Sequence, residues 1–166
     1  MVSATRLLLV LTVVATMLAG PQRASAAPSP ALWGWPLVGE PGVTRRFEPP
    51  PTPYAAGHRG VDLAGAAGQP VLAAGAGVVV FAGLVAGRPV VSVEHADGLR
   101  TTYEPVQPGV AAGQVVARGS PLGVLVAGHA GCPVEACLHW GLRRGGGYLD
   151  PLALLRPPRV RLLPWG

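Results

Sequence analysis

The sequence predicts an all-β fold, an antiparallel sandwich or barrel, and two observations support this prediction. From residue 58 onward, short apolar runs of four to six residues are enriched in valine and separated by glycine-bearing turns. Such spacing is typical of antiparallel sandwiches and barrels. No stretch beyond residue 26 has the 3.6-residue periodicity of an amphipathic helix. We therefore expect one domain of short strands, which suits a chain of 166 residues.

Six apolar runs mark the predicted strands, at residues 71–74, 77–82, 90–93, 99–103, 122–126 and 138–142. Between them, Pro105, Pro108 and Gly109 predict a loop, and Gly113 predicts the opening of a further hairpin. Near the end of the chain, residues 152–155 predict a single helical turn.

Less regular segments flank this β domain, which we place at residues 58–155. Residues 27–57 are rich in proline and glycine, and Pro49-Pro50-Pro51 cannot enter the interior of a helix or a sheet. We expect an extended lead-in there. The tail at residues 156–166 is basic and contains prolines, so it is also expected to be extended.

The first 26 residues have the pattern of a cleavable signal peptide. Arg6 gives a positive start, residues 7–19 are apolar, and Ala24-Ser25-Ala26 provides a small-x-small cleavage site. A membrane anchor, the alternative, needs about 20 apolar residues, and Gly20-Pro21 ends the run earlier. We expect a mature chain without a membrane span that is secreted or held at the extracytoplasmic face.

Charge and composition argue against one class of partner. The formal charge is +5, from 13 basic and 8 acidic residues, and it falls to +3 (11 minus 8) without the two arginines of residues 1–26. The arginines are scattered and no basic stripe with interleaved aromatic residues occurs, so nucleic-acid binding is not expected. The mild positive charge suits an anionic cell wall and is equally ordinary for a solvated surface. Nothing in the sequence indicates an oligomeric state.

Potential metal ligands occur in several places along the chain. His58 and Asp62 are four residues apart, so in an extended segment both side chains face the same side. His139 lies in an apolar strand, where its imidazole needs a hydrogen-bond partner or a metal to offset desolvation. Two imidazoles and a carboxylate can hold a tetrahedral zinc ion with one open position for water, the arrangement of catalytic sites. Ordinary hydrogen-bonded histidines are the alternative, as they are for the isolated His95 and His129.

Short motifs around these residues follow a recognisable order. Residues 57–64 (GHRGVDLA) resemble a G-x-H-x-G-x-D-[IL] element, and residues 68–79 are similar to the G-x-P-V-x-A-A-x-x-G-x-V element that follows it. Residues 95–98 resemble a D-H-x-x-G turn, and residues 113–123 resemble a G-x-x-V-x-x-G-x-x-[IL]-G hairpin.

The end of the chain completes the series. Leu138-His139-Trp140 followed by residues 148–152 resembles an H-[FW]-x element and a V-[ND]-P ending. Each element alone is weak, but the ordered set spans roughly residues 36–155. On these motifs, the chain resembles the lysostaphin-type peptidoglycan zinc metalloendopeptidases.

The resemblance implies a fold, a metal and a reaction. The fold implied is an antiparallel barrel-sandwich hybrid, the duplicated hybrid motif of that family. His58, Asp62 and His139 are the implied ligands of Zn²⁺. The implied substrates are the stem or cross-bridge peptides of peptidoglycan, hydrolysed by zinc-activated water at the cell wall.

Two positions depart from the family pattern. The family's terminal element is usually H-x-H, and its first histidine, which assists catalysis, is replaced here by Cys137. A second assisting histidine follows a tyrosine in the family, and Pro105 occupies that place. General acid–base assistance typically contributes about 10²–10⁴-fold to a rate. Two functions therefore stay open: an active endopeptidase, or a catalytically degenerate zinc-binding protein that binds wall peptides or regulates another wall enzyme.

Replacements for the missing assistance are present. Glu104 lies beside Pro105 and is a candidate general base if its side chain turns inward, the alternative being an exposed glutamate. His129, in a glycine-bordered loop before the last strand, is a candidate if it reaches the site, the alternative being an exposed loop histidine. Arg59 and Arg100 are candidate clamps for a substrate carboxylate or an oxyanion, with plain solvation as the alternative.

Cys132 and Cys137 are the two cysteines of the chain. In an oxidising compartment they predict a disulfide that clips the loop leading into the His139 strand. The alternative is that the Cys137 thiolate is a fourth zinc ligand, which would make the site structural.

A third class of function is excluded by composition. Residues 113–123 also resemble a hairpin of the biotinyl- or lipoyl-type carriers. Such a carrier needs a lysine for attachment, and this sequence contains none.

Overall fold

The computed structural model describes residues 32–52 and 55–156. In that part of the chain, eleven strands and one 3₁₀ helix make up the regular structure, and every strand pairing is antiparallel. The prediction of an all-β antiparallel fold is confirmed. The signal peptide proposed for residues 1–26 and the tail from residue 157 lie outside the described residues, as do Pro53 and Tyr54.

The strands form a large sheet and a small one. Their bounds are β1 Val43–Arg45, β2 Gly60–Gly65, β3 Pro70–Leu72, β4 Gly77–Val85, β5 Arg88–Glu94, β6 Leu99–Glu104, β7 Val106–Pro108, β8 Val115–Val116, β9 Pro121–Leu125, β10 Ala136–Arg144 and β11 Gly147–Leu149. The eight-stranded sheet has the order β1-β2-β10-β6-β5-β4-β8, with β11 pairing β10, and the small sheet has the order β3-β9-β7.

Two local predictions were wrong, both at the small sheet. The loop predicted from Pro105, Pro108 and Gly109 contains β7, which pairs with β9. Pro108 is tolerated there because β7 is an edge strand, where a missing N–H removes no ladder hydrogen bond. The hairpin predicted at Gly113 does not close, because β8 pairs with β4 of the large sheet whereas β9 pairs with β3 and β7.

Side-chain alternation divides β2 and β10 between the core and a second face. Val61 and Leu63 of β2 are fully buried in the hydrophobic core together with Leu138 and Trp140 of β10. Successive side chains of a strand point to opposite faces. The residues between them, including Asp62, therefore lie on the other face of the large sheet.

A chain of hydrogen bonds joins Ala74, Tyr103, Thr101 and His95 in the interior of the protein. The Ala74 N–H donates to the Tyr103 hydroxyl (2.9 Å), which lies 2.9 Å from Thr101 Oγ1. Thr101 Oγ1 lies 2.8 Å from His95 Nε2, and His95 Nδ1 lies 2.8 Å from the carbonyl oxygen of Ala76. Because a carbonyl only accepts, His95 carries its proton on Nδ1, and in the neutral ring Nε2 accepts from Thr101. Each hydroxyl then donates once along the chain.

The segment before residue 58 joins the fold more closely than the predicted lead-in. β1 pairs with β2, and Leu37 is 1% exposed in the core. The predicted turn near the C-terminus is a 3₁₀ helix, Pro151–Leu155. Asp150 caps its start, because the Leu152 N–H donates to Asp150 Oδ1 (3.0 Å). No helix among the described residues has the length and apolarity needed to cross a bilayer.

Candidate metal centre

β10 brings the predicted ligands together because it pairs with β2 on one side and β6 on the other. Its residue His139 lies directly opposite Asp62 of β2. Directly opposed residues of an antiparallel pair have Cβ atoms about 4.5–5.5 Å apart. The two side chains therefore meet on the face away from the core, where His139 Nδ1 is 2.9 Å from Asp62 Oδ1.

His58 reaches the same point from the segment that precedes β2. It forms an antiparallel bridge with Glu48, with backbone hydrogen bonds in both directions. Its Nε2 lies 3.0 Å from Asp62 Oδ1 and 3.0 Å from His139 Nδ1. Side-chain alternation in an extended segment accounts for the meeting of His58 and Asp62, as the four-residue spacing predicts.

The hydrogen bonding of His58 fixes which nitrogen faces the site. His58 Nδ1 lies 2.7 Å from the carbonyl oxygen of Arg46 and must donate to it. In the neutral imidazole, Nε2 then directs a lone pair at Asp62 Oδ1 and His139 Nδ1. A second hydrogen bond that sets the tautomer of a ligating histidine is a common feature of metal sites.

The donor set fits a zinc ion. The three candidate ligand atoms lie within 4.8 Å of one another, and His58 and Asp62 are buried. Ligands at 2.0–2.1 Å in a tetrahedron are separated by about 3.3 Å, close to the 2.9–3.0 Å found between these atoms. A single proton can form a hydrogen bond within only one of the three close atom pairs. A bound cation would instead attract all three ligand atoms.

Gly60 allows His139 to lie over β2. A Cβ atom at this position would come within 2.5 Å of the Trp140 carbonyl oxygen and 2.7 Å of His139 Nε2. Any side chain would therefore displace the imidazole or separate β2 from β10. Reasoning from the sequence did not single out Gly60 as a positioning residue, although it stands between His58 and Asp62 in the motif.

The histidines determine the ionisation of Asp62. Burial by itself raises the pKa of Asp62, but the hydrogen bond with His139 and the charges of His129 and His58 outweigh it and lower the pKa to about 2. The carboxylate is thus held in its charged form, the form that ligates metals.

His129 also reaches the site, from the loop between β9 and β10. Its Nε2 lies 3.2 Å from Asp62 Oδ2, and its ring stacks on that of His139 with centroids 5.9 Å apart. The side chain is only 15% exposed. Because His129 faces Oδ2 while His58 and His139 face Oδ1, it lies next to the three candidate ligands and outside their set.

The structure contains the predicted disulfide between Cys132 and Cys137. Cys137 is consequently not a thiolate ligand, and the fourth-ligand alternative is not supported. The disulfide ties the first residues of β10 to the loop that carries His129, in which Cys132 N donates to the His129 carbonyl oxygen (3.2 Å).

Glu104 of β6 faces the same groove as His139. It lies opposite His139 across the β10–β6 ladder, and its side chain is 17% exposed. Arg88 Nε lies 2.5 Å from Glu104 Oε1, so the carboxylate is anchored by an ion pair. Both Glu104 and His139 line a groove of about 510 Å³ on this face of the sheet, to which the candidate clamps Arg59 and Arg100 also contribute. His95, in contrast, belongs to the buried hydrogen-bond chain around Tyr103.

Comparison with known proteins agrees with this geometry. The sequence model of peptidase family M23 matches residues 56–151. An uncharacterized protein of Mycobacterium tuberculosis is 54% identical over 135 residues, covering 79% of this chain and 54% of the relative. The chain thus spans about half the length of the curated relatives it matches.

Two solved structures are similar as well. Csd3 of Helicobacter pylori is 26% identical, with a TM-score of 0.57 over 79% of this chain and 36% of that one. Lysostaphin of Staphylococcus simulans is 25% identical, with a TM-score of 0.56 over 69% of this chain and 50% of that one.

Proposed function

Because the chain belongs to peptidase family M23, we propose that it is an exported, zinc-dependent endopeptidase that hydrolyses stem or cross-bridge peptides of peptidoglycan. The observation that carries this proposal is the convergence of His58 Nε2, Asp62 Oδ1 and His139 Nδ1 on one point. The cell wall as the place of action is proposed from the family resemblance and from the signal-peptide pattern of residues 1–26.

Three residues of the centre share one role in the proposed reaction, which is to hold the metal. His58, Asp62 and His139 would hold zinc, which when bound polarises a carbonyl group and lowers the pKa of water. His58 is oriented by the Arg46 carbonyl oxygen. His139 also lines the 510 Å³ groove, so a substrate in the groove would lie beside the ligands.

His129 and Glu104 are the proposed proton-transfer groups. Because a carboxylate only accepts, His129 Nε2 donates to Asp62 Oδ2, and Nδ1 is the nitrogen that would take up a proton from water and return it to the leaving amine. Glu104 lies on the groove side of His139 but is engaged by Arg88. We therefore assign the main role to His129 and a supporting one to Glu104.

A second candidate function is a zinc-binding protein of the wall without catalysis. Two observations favour it: Cys137 is consumed in a disulfide, and Pro105 stands in the place of the other assisting histidine. In this alternative, the centre and the groove bind wall peptides or regulate another wall enzyme.

One experiment separates these functions. The exported protein is purified, its zinc content is measured, and it is incubated with purified peptidoglycan while new amino termini are counted. We expect about one zinc ion per chain and zinc-dependent release of amino termini. The His139→Ala variant should lose both zinc and activity because one of three ligands is gone.

Arg144→Gln is the matched control, since Arg144 is exposed and pairs with Asp97 away from the centre. It should retain zinc and activity. Stoichiometric zinc without release from any of several wall types would favour the non-catalytic function. Absence of zinc from the wild-type protein would contradict both.

A further inference from the structure

The sheet face that carries His139 continues beyond the metal centre as the floor of the 510 Å³ groove. Successive residues on this face of β10 lie opposite residues of β6. They form three cross-strand pairs along the floor, which we call steps: His139 with Glu104, Gly141 with Thr102, and Arg143 with Arg100.

The middle step, Gly141 with Thr102, has only small side chains and is polar. Gly141 has no side chain, and a Cβ atom there would meet only ordinary contacts, the nearest being the Arg59 carbonyl oxygen at 3.6 Å. Beside it, Thr102 Oγ1 lies 3.2 Å from Ser92 Oγ on β5. A peptide backbone can therefore lie close to the sheet between the two outer steps, with hydroxyl groups beneath it.

The far step carries an excess of positive charge. Arg100 Nε lies 2.6 Å from Glu94 Oε2, so one guanidinium is paired. Within the part of the chain that the structure describes, no carboxylate pairs with Arg143, which is exposed. Two positive charges and one negative charge leave one unit of positive charge at this step. Like charges directly opposite each other across two strands are destabilising, so an anion is favoured there.

Aromatic and basic groups border this step on its other side. Tyr148 of β11 lies opposite Arg143, and the guanidinium of Arg59 lies 5.3 Å from the centroid of the Tyr148 ring. All three side chains line the groove. This end of the groove is therefore basic, whereas the end at the metal centre holds the Arg88–Glu104 ion pair.

The strand sets the distance between the metal centre and the basic step. Arg143 lies four positions after His139, and a strand rises about 3.3 Å per residue, which gives about 13 Å. An extended peptide of about four residues has the same length.

We propose that Arg143, together with Arg100, forms an anion subsite that binds a free carboxylate of the substrate about four residues from the bond that is cut. This inference rests on the proposed peptidase function, because it takes the metal centre as the place of cleavage. The substrate class is an extended peptide that bears a terminal or side-chain carboxylate at this distance. A guanidinium is suited to it because its fork of N–H donors matches the two carboxylate oxygens.

The test compares three synthetic peptides that differ in whether they carry a carboxylate and in where it is placed. They are acetyl-Ala-Ala-Ala-Ala with a free C-terminal carboxylate, the same peptide as its carboxamide, and acetyl-Ala-Ala-Ala-Glu-carboxamide. Dissociation constants are measured by NMR titration of the isotope-labelled protein, while mass spectrometry monitors cleavage in parallel. We expect a carboxylate peptide to bind roughly three- to fivefold more tightly than the carboxamide, the range of a partly solvated ion pair. The carboxylate peptide that shows the preference identifies the terminal or the side-chain source.

Two variants test whether Arg143 is responsible for the preference for carboxylate peptides. Arg143→Gln should reduce the preference to about one, and Arg144→Gln, on the opposite face of the strand, should preserve it. Thermal unfolding checks that both variants remain folded. Equal affinity for all three peptides, a preference that persists in Arg143→Gln, or no shifts at residues 139–143 with any peptide would overturn the subsite. Because binding is read separately from cleavage, a protein that binds with this preference but cuts nothing contradicts only the proposed enzymatic function.

Discussion

At the scale of single residues, the two oxygens of Asp62 have different neighbours. Oδ1 faces His58 and His139, whereas Oδ2 faces His129. His58, Asp62 and His139 would hold a metal on the Oδ1 side, while His129 contacts the other oxygen of the same carboxylate. The proton-transfer role that we propose for His129 therefore does not depend on ligating the metal.

We therefore predict that His129→Ala slows hydrolysis of peptidoglycan by about a hundredfold or more, the lower end of general acid–base contributions. The zinc content should stay that of the wild-type protein, because all three ligands are retained. Initial rates of amino-terminus release and metal analysis of the same preparation test both parts.

The matched control is Val134→Ala, which alters an exposed residue of the same loop. It should leave rate and zinc content unchanged. An unchanged rate in His129→Ala, or loss of zinc from it, would show that the role assigned to His129 is wrong.

The sequence predicted only part of this residue-level geometry. The meeting of His58 and Asp62 follows from strand alternation, which is a local property. The position of His129 depends on the path of a loop between β9 and β10, and no periodicity encodes such a path. The need for Gly60 likewise emerges only once the His139 ring is known to lie across β2.

At the scale of elements, β10 and the loop before it act as one unit. The disulfide joins the loop residue Cys132 to the strand residue Cys137, five positions later. Cys137 is fully buried, and Thr44 Oγ1 lies 3.7 Å from its sulfur. The loop that carries His129 is thereby fastened to the strand that carries His139.

Loss of this cross-link should destabilise the fold by about 2 kcal/mol, the loop-closure entropy of a ring of some six residues. Urea unfolding of the oxidised and reduced protein measures the difference, and reduction has the advantage that side-chain volumes hardly change. The Cys132→Ser, Cys137→Ser double variant should be insensitive to the reductant. Equal free energies of unfolding for the oxidised and reduced wild-type protein would contradict this prediction.

Strand existence was easier to predict than strand pairing. All six apolar runs contain or overlap strands, because valine-rich segments between glycines favour extended structure. The hairpin expected at Gly113 failed because β8 and β9 find partners in different sheets. Which strands pair depends on contacts between segments that are distant in sequence. Local sequence patterns carry no information about these contacts.

At the scale of the whole molecule, the buried hydrogen-bond chain links the large sheet to the backbone that follows β3. Tyr103, on β6, is fully buried and accepts from Ala74 N. Burial raises the pKa of Tyr103 to about 12, although the hydrogen bonds with Thr101 and Ala74 oppose the rise. The neutral phenol is thus part of what holds the two sheets together.

This predicts a specific loss of stability at alkaline pH. In the unfolded chain Tyr103 ionises around its ordinary pKa of 10.0, whereas the folded protein keeps it neutral up to about 12. The contribution of the neutral phenol is therefore complete below pH 10 and is lost as the pH rises from 10 to 12. By pH 11 the loss should be about 1.4 kcal/mol, the equivalent of one pKa unit.

Tyr103→Phe isolates this contribution, because every other ionisable group is shared with the wild-type protein. At pH 8 the variant should be less stable by about 1–3 kcal/mol, since Ala74 N–H and Thr101 lose a buried partner. Between pH 9 and pH 11 the difference should shrink by about 1.4 kcal/mol, because only the wild-type protein has this phenol to ionise on unfolding. Urea unfolding at each pH provides the measurement. A difference that stays constant over this range would mean that Tyr103 ionises equally readily in the folded protein, and that burial between the two sheets does not hold it neutral.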